Sequence, residues 1–261
     1  MGKAVPVPDL DTLGDLAITA ARNSRRLLDD ADLLLKRGRW PTAYSVAVLA
    51  FEEAGKVWLC VVAMMVPADT RQEYPFAGMT GAHLDKLMAA HAMAHMHAFL
   101  RGGANAPKSM IDVGEDLETL AREHNQAKQR GLYADLSDGV IWSPDQVTKS
   151  EATQMVATVR GLLDHGGYLA DPEFIAWLGQ SPQDVRSHVD TFWDRFISGW
   201  QLGGPEGMAV AVQGYMDEIG AIEGLRQIMQ EEDARHLAES RAGKGRRTQL
   251  RRPPRRSHRK H

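Results

Sequence analysis

The sequence predicts an all-α fold: a bundle of about five helices, then a helical extension and a basic tail. Three observations carry this expectation. Apolar residues recur at helical spacing along most of the chain. Glycine and proline fall mostly between those stretches, where helices stop and start. No convincing strand and no internal repeat interrupts them. The 261 residues leave room for one large domain, or for one domain with an accessory piece.

The first helix is expected from about Asp9 to Arg37, with Leu13, Leu16, Ala20, Leu27, Ala31 and Leu34 as its apolar stripe. Gly38 stops it, and Pro41 sits where a first helical turn tolerates proline. The linker Gly38-Arg39-Trp40 is short, so the first two helices should form an antiparallel hairpin. Helix two, from about Pro41 to Val66, is apolar nearly all round. Its longest apolar run, Val57 to Val66, is too short for a membrane span and suits a buried helix. A third helix runs from about His83 to Arg101 and ends at Gly102-Gly103. A fourth, from about Lys108 to Arg130, ends at Gly131. Asp138-Gly139 marks a turn. Ser143-Pro144 then opens another helix, with Gln146 placed for a capping box, and this helix stops near Gly166-Gly167. Beyond it, Val185, Val189, Phe192, Phe196 and Trp200 form one amphipathic face. Gly203-Gly204-Pro205 breaks that pattern, and a last helix carries Met208, Val212, Tyr215, Ile219, Ile222 and Ile228. The segment after Arg241 has no apolar periodicity and is expected to be disordered.

Net charge is −3, unevenly spread. Residues 241–261 hold eight Arg and two Lys with no acidic residue, which leaves the other 240 residues at −13. Such asymmetry points to nucleic acid or another polyanion as partner, or equally to a solvated tail that aids solubility or masks the acidic body. The single cysteine, Cys60, excludes an intrachain disulfide and fits a reducing, cytoplasmic location. The opening MGKAVPVPDL has no apolar core of a signal peptide.

The most informative stretch is Tyr44 to Val66, in which only Glu52, Glu53 and Lys56 are charged. A charge in so apolar a helix must pair, reach water or line a polar pocket. Glu52 and Lys56 stand four apart in the favourable order, worth about 0.3 kcal/mol on a surface, which does not offset burial. Other helices should therefore supply partners, either as a functional site or as an interhelical salt bridge. The helix MAAHAMAHMHAFL carries His91, His95 and His97, and His91 and His95 have the spacing of a metal pair. Neither Glu-x-x-His nor H-E-x-x-H occurs, and the surrounding Met and Ala read as core filler, so no metal or cofactor is expected. Walker, Rossmann and Gly-x-Ser-x-Gly elements are absent as well.

Three segments share an order and spacing with a known family. They are the hairpin ADLLLKRGRWPTAYSVAVLAFEEAGK, the H-x-x-K element His83-Leu84-Asp85-Lys86, and a K-Q-R-x-L-Y-x-D element from Lys128 to Asp135. Over about residues 15–170 the chain resembles the AbiV family of abortive-infection proteins. The resemblance implies a HEPN-like helical bundle over residues 1–170, homodimeric and acting in phage defence. An accessory helical region at 171–240 and the basic tail at 241–261 lie beyond it. Many HEPN proteins are metal-independent ribonucleases marked by Arg, four to six residues, then His. This chain departs from that pattern: Arg122 and His124 are only two apart. Arg160 and His165 match the spacing, but residues five apart on a helix point about 140° away from each other. His165 beside Gly166-Gly167 suits a helix end better than catalysis.

Metal-independent RNA cleavage needs a base for the 2′-hydroxyl, an acid for the leaving oxygen and a cation for the phosphate. With the resemblance in hand, Glu52, Lys56, His124, Lys128 and Tyr133 are the expected catalytic set. Arg122, Arg130, His83 and Lys86 are the expected RNA-phosphate contacts, and Glu53, Arg160 and His165 are secondary candidates. The expected function is a defence effector that cuts or binds RNA or the ribosome, answers a phage protein trigger and touches no membrane. The rival reading is a non-enzymatic arrest of translation through protein partners.

Overall fold

The computed structural model describes residues 8–65, 80–101, 117–137 and 140–179, with isolated positions between Thr191 and Tyr215. The chain divides into two compact units, Met1–Tyr215 and Met216–His261, and every described residue belongs to the first. The face expected from Val185, Val189, Phe192, Phe196 and Trp200, the expected final-helix residues Met208, Val212, Ile219, Ile222 and Ile228, and the basic tail lie outside the described residues. The described part is an α-helical bundle, as its sequence patterning requires.

Helix α1 (Leu10–Lys36) is capped by Asp9, whose carboxylate accepts from the Thr12 amide at 2.7 Å. It ends in a tight αL turn. Gly38 has φ 72°, its N–H reaches the Leu35 carbonyl, and the Arg39 N–H reaches that of Leu34. A side chain at position 38 would strain that turn. The chain then reverses directly into α2 (Trp40–Met65), the antiparallel hairpin expected from the short linker. The buried face of α1 is centred on Leu13, Ala17, Ala20, Ser24, Leu28 and Ala31, while Leu16, Leu27 and Leu34 flank it half-buried. Small residues at the seam let the two backbones approach. Ser24 Oγ accordingly donates to the Ala50 carbonyl at 2.6 Å, which fixes the register of the hairpin.

Helix α2 is the axis of the bundle and packs against α1, α3 (His83–Arg101), α4 (Leu117–Leu132) and α5 (Lys149–Gly166). Its buried residues point all round, from Ala43 and Tyr44 through Phe51 to Met64, which is why it carries no amphipathic stripe. The short α6 (Pro172–Gly179) closes on α1 where Gly14 leaves room for Ile175. Among the described residues no helix is long and apolar enough to cross a membrane.

Two local expectations are corrected. A two-stranded antiparallel hairpin, β1 (Asp135–Ser137) and β2 (Val140–Trp142), follows α4, with Leu136 opposite Ile141. Strands of three residues are too short to display alternation, so periodicity misses them. Asp138-Gly139, between the strands, lies outside the described residues. The helix expected from Ser143-Pro144 is a single 3₁₀ turn, Pro144–Gln146, and α5 starts only at Lys149. The capping box is Thr148 with Glu151. Thr148 Oγ1 accepts from the Glu151 amide at 3.2 Å, and the Glu151 carboxylate accepts from the Thr148 amide at 2.7 Å.

Candidate functional site

The charged residues of α2 do not share one environment. Glu52 is fully buried at 2% exposure, whereas Glu53 and Lys56 sit half-buried one step round the helix. Lys56 Nζ donates to Glu53 Oε1 at 2.7 Å, an i,i+3 pair, so Lys56 turns to Glu53 and not to Glu52 four residues before it. The partners of Glu52 come from other helices, as desolvation demands. Lys128 of α4, also 2% exposed, donates to Glu52 Oε1 at 2.5 Å. His83, the first residue of α3, places Nδ1 2.6 Å from Glu52 Oε2, and Lys86 Nζ lies 3.4 Å from the same oxygen. One carboxylate thus gathers two ammonium groups and an imidazole. Burial alone would push its acidity down, but the hydrogen bonds and charges of Lys128 and His83 outweigh that cost. Its pKa falls below the usual carboxylate value.

Backbone features aim these groups. Gly55 sits one turn beyond Glu52, and the Lys86 carbonyl of α3 occupies the space where a side chain on Gly55 would stand. That close approach brings His83 and Lys86 within reach of Glu52. On the other side, Ser45 Oγ donates to the Lys128 carbonyl at 2.9 Å and is also 3.1 Å from the Pro41 carbonyl. Gly131 completes this crossing, since a Cβ there would stand 2.7 Å from the Pro41 carbonyl oxygen. The cluster reaches solvent through His83, whose side chain is 56% exposed, while Lys86 and Lys128 stay buried.

Further along the same helices lies a second, neutral cluster. His91 of α3 and His124 of α4 stack with ring centroids 4.9 Å apart, and His91 Nε2 meets His124 Nδ1 at 3.0 Å. Phe51 contacts both rings edge-on, and Tyr44 contacts His124. Burial, with the neighbouring histidines, depresses the His91 pKa to about 3. Burial also lowers that of His124, and it raises the Tyr44 phenol to about 12, helped by Glu151 and Glu123. Both imidazoles are therefore neutral near pH 7, and one donates its N–H to the other.

Of the residues expected from sequence, Glu52, Lys128, His83 and Lys86 come together. The others do not join them. His124 belongs to the histidine pair. Tyr133 lies past the end of α4 with 61% of its surface exposed. The Arg130 guanidinium stacks on Trp142 at 3.7 Å, tying α4 to the hairpin. Arg122 is exposed and pairs with Glu118. Arg160 pairs with Asp32 of α1, a contact that ties α5 to the first helix. His165 falls in the last turn of α5, and its side chain lies outside the described residues. Sequence reasoning weighed His91 only as half of a metal pair with His95, whereas its partner is His124, and it missed Ser45 and Gly55. The glycine did carry a signal, because an isolated glycine in a helix interior usually marks a close approach. Among the described residues no group of three or more His, Cys, Asp or Glu is arranged to hold a metal ion.

No curated protein and no solved structure matches the chain. A family model, HEPN_AbiV, described as AbiV, matches residues 13–163. The matched span runs from the first turn of α1 nearly to the end of α5. It contains the hairpin, Gly55 and all four members of the Glu52 cluster. A match over more than half of the chain, on a helical bundle of this kind, settles the family: the chain belongs to the AbiV family of HEPN-type abortive-infection proteins.

Proposed function

We propose that the chain is a defence effector that acts on RNA as a metal-independent endoribonuclease, with the Glu52–Lys128–Lys86–His83 cluster as its reacting centre. The observation that carries this reading is a buried carboxylate held by two lysines that opens to solvent through an imidazole. Such a group supplies a proton acceptor of fixed orientation beside excess positive charge, two of the three requirements for cleaving next to a 2′-hydroxyl. The working state in this reading is a cytoplasmic homodimer that engages RNA or the ribosome and is released by a phage component. The test is incubation of the purified protein with total cellular RNA, with and without EDTA, followed by sequencing of new ends. New 5′-hydroxyl ends that persist in EDTA are expected. An unchanged pool of ends would remove the ribonuclease reading.

One observation favours a second reading, arrest of translation through protein partners without cleavage. Leu132, Tyr133 and Ile141 are large, exposed and close in sequence around the α4–hairpin junction, 40%, 61% and 72% accessible. Exposed side chains of that size suit a protein contact. Growth arrest that survives loss of the charge cluster but not loss of Tyr133 and Ile141 would select this alternative.

A further inference from the structure

We propose that His83 is the catalytic base, taking the 2′-hydroxyl proton of a bound RNA strand on Nε2 while Glu52 grips Nδ1; the assignment rests on the ribonuclease reading above. It differs from the expectation that His124 supplies the imidazole and that His83 only holds phosphate.

Geometry separates the histidines. His91 and His97 are buried, and His124 spends Nδ1 on His91 at 3.0 Å. His95 is half-buried, and its ring stands edge-on to that of His91. Among the described histidines, His83 is the one that is both exposed and joined to the buried charges. At 2.6 Å its Nδ1 carries the proton and donates to Glu52, because a carboxylate only accepts. That bond fixes the tautomer and leaves the Nε2 lone pair free for a substrate proton. Glu52 is itself immobilised, by Lys128 at 2.5 Å and by Lys86 at 3.4 Å. It is therefore a positioning residue of the kind that orients a histidine base in other hydrolytic sites. The groups in contact with His83 are Glu52 from α2 and Lys128 from α4, whose Nζ lies 3.4 Å from Nδ1, and Lys86 from its own helix shares the Glu52 oxygen that His83 meets. Two ammonium groups against one carboxylate leave positive charge beside the imidazole, which attracts a phosphodiester.

The reaction then balances as an internal transfer. The 2′-oxygen forms a bond to phosphorus as its proton passes to His83 Nε2. The bond from phosphorus to the 5′-oxygen breaks, and water at the exposed rim protonates the leaving oxygen. The imidazolium returns its proton to the hydroxide left behind. The products are a 2′,3′-cyclic phosphate and a 5′-hydroxyl.

Two variants of the full chain separate chemistry from scaffolding. In H83N the side-chain amide can still donate to Glu52, but nothing replaces Nε2. H83A opens a space that free imidazole can enter. With wild type active on an RNA oligonucleotide in EDTA, H83N should melt close to wild type and lose roughly 10²- to 10⁴-fold in kcat with little change in KM. Added imidazole should restore part of the H83A rate, with a pH profile that follows the added base. H83N cleaving at the wild-type rate, or H83A gaining nothing from imidazole, overturns the assignment and leaves the ribonuclease reading in place. A wild-type protein that cuts no RNA overturns both.

Discussion

At the scale of single residues, the bundle keeps its polar groups in two states that respond to acid in the same direction. His91 titrates at about 3 in the folded protein, against an ordinary value of 6.5, because burial and the neighbouring histidines disfavour its charge. His124 is shifted the same way by burial. Below about pH 6.5 the unfolded chain binds protons that the folded chain refuses. The stability these histidines contribute is therefore complete above about pH 6.5 and is lost as pH falls toward the folded value, by up to about 1.4 kcal/mol per pH unit for His91, with His124 acting in the same direction. Glu52 adds to the loss lower down, since its pKa is depressed below 4.5 and its contribution is complete only above that value. Urea unfolding midpoints should thus fall between pH 7 and 5.5 in wild type. In His91→Phe, which keeps a ring in the stack, the midpoint should fall less over the same interval. Parallel pH dependences for the two proteins would refute the histidine account. Sequence made part of this visible. Three lone charges in an apolar helix require partners, and Glu52 has them. Which charge goes inward was not legible. Glu52 and Glu53 are adjacent, and only the position of α3 and α4 around α2 decides that the first is buried while the second pairs locally with Lys56.

At the scale of elements, helix positions and order were legible because Asp9, Gly38 and Pro41 mark ends by local backbone chemistry, whereas Gly131, expected to stop α4, lies inside its last turn and serves the crossing with α2. The packing was less so. The stripe on α1 centres on Ala17, Ser24 and Leu28 rather than on the larger Leu16, Leu27 and Leu34, because close helix contact selects small residues at its centre. Hydrophobicity alone does not report that preference. The three-residue strands and the single turn at Pro144 fall below the length at which periodicity carries information. The element that sets the site is the crossing of α2 with α3. A methyl group on Gly55 would collide with the Lys86 carbonyl and with the Ala90 amide nitrogen, both backbone atoms that cannot rotate away. Gly55→Ala should therefore cost about 1–3 kcal/mol as α3 is pushed outward. It should also pull His83 and Lys86 off Glu52, so growth arrest should weaken more than stability predicts. A melting temperature matching wild type would show that the two helices have room to spare, contrary to the structure.

At the scale of the whole molecule, charge is divided between an acidic body and a tail of +10 over residues 241–261. Lys128 and Lys86 are buried on Glu52, so little of the cluster's positive charge is available for long-range attraction of a polyanion. The tail holds a third of the chain's basic residues, and in the RNA-directed reading proposed above it is the source of that attraction. Phosphate contacts made by arginine and lysine release counterions, and each flattens or steepens the dependence of binding on salt by about 0.7 in log–log slope for single strands. If half of the ten tail charges meet phosphate, deleting residues 241–261 should lower the slope by about 3.5. Affinity should drop most at about 50 mM salt and least at about 200 mM, because screening already weakens the tail at the higher value. In the proposed ribonuclease reading the tail contacts carry no base information, so any sites cut by the truncated protein should match those cut by the full chain, only more slowly. The measurement is RNA affinity at both salt concentrations, with cut-site sequencing, for full-length and truncated protein. Stronger binding on deletion would make the tail a mask instead of a tether. An unchanged affinity and slope would assign RNA attraction to the helical body, despite its net charge of −13.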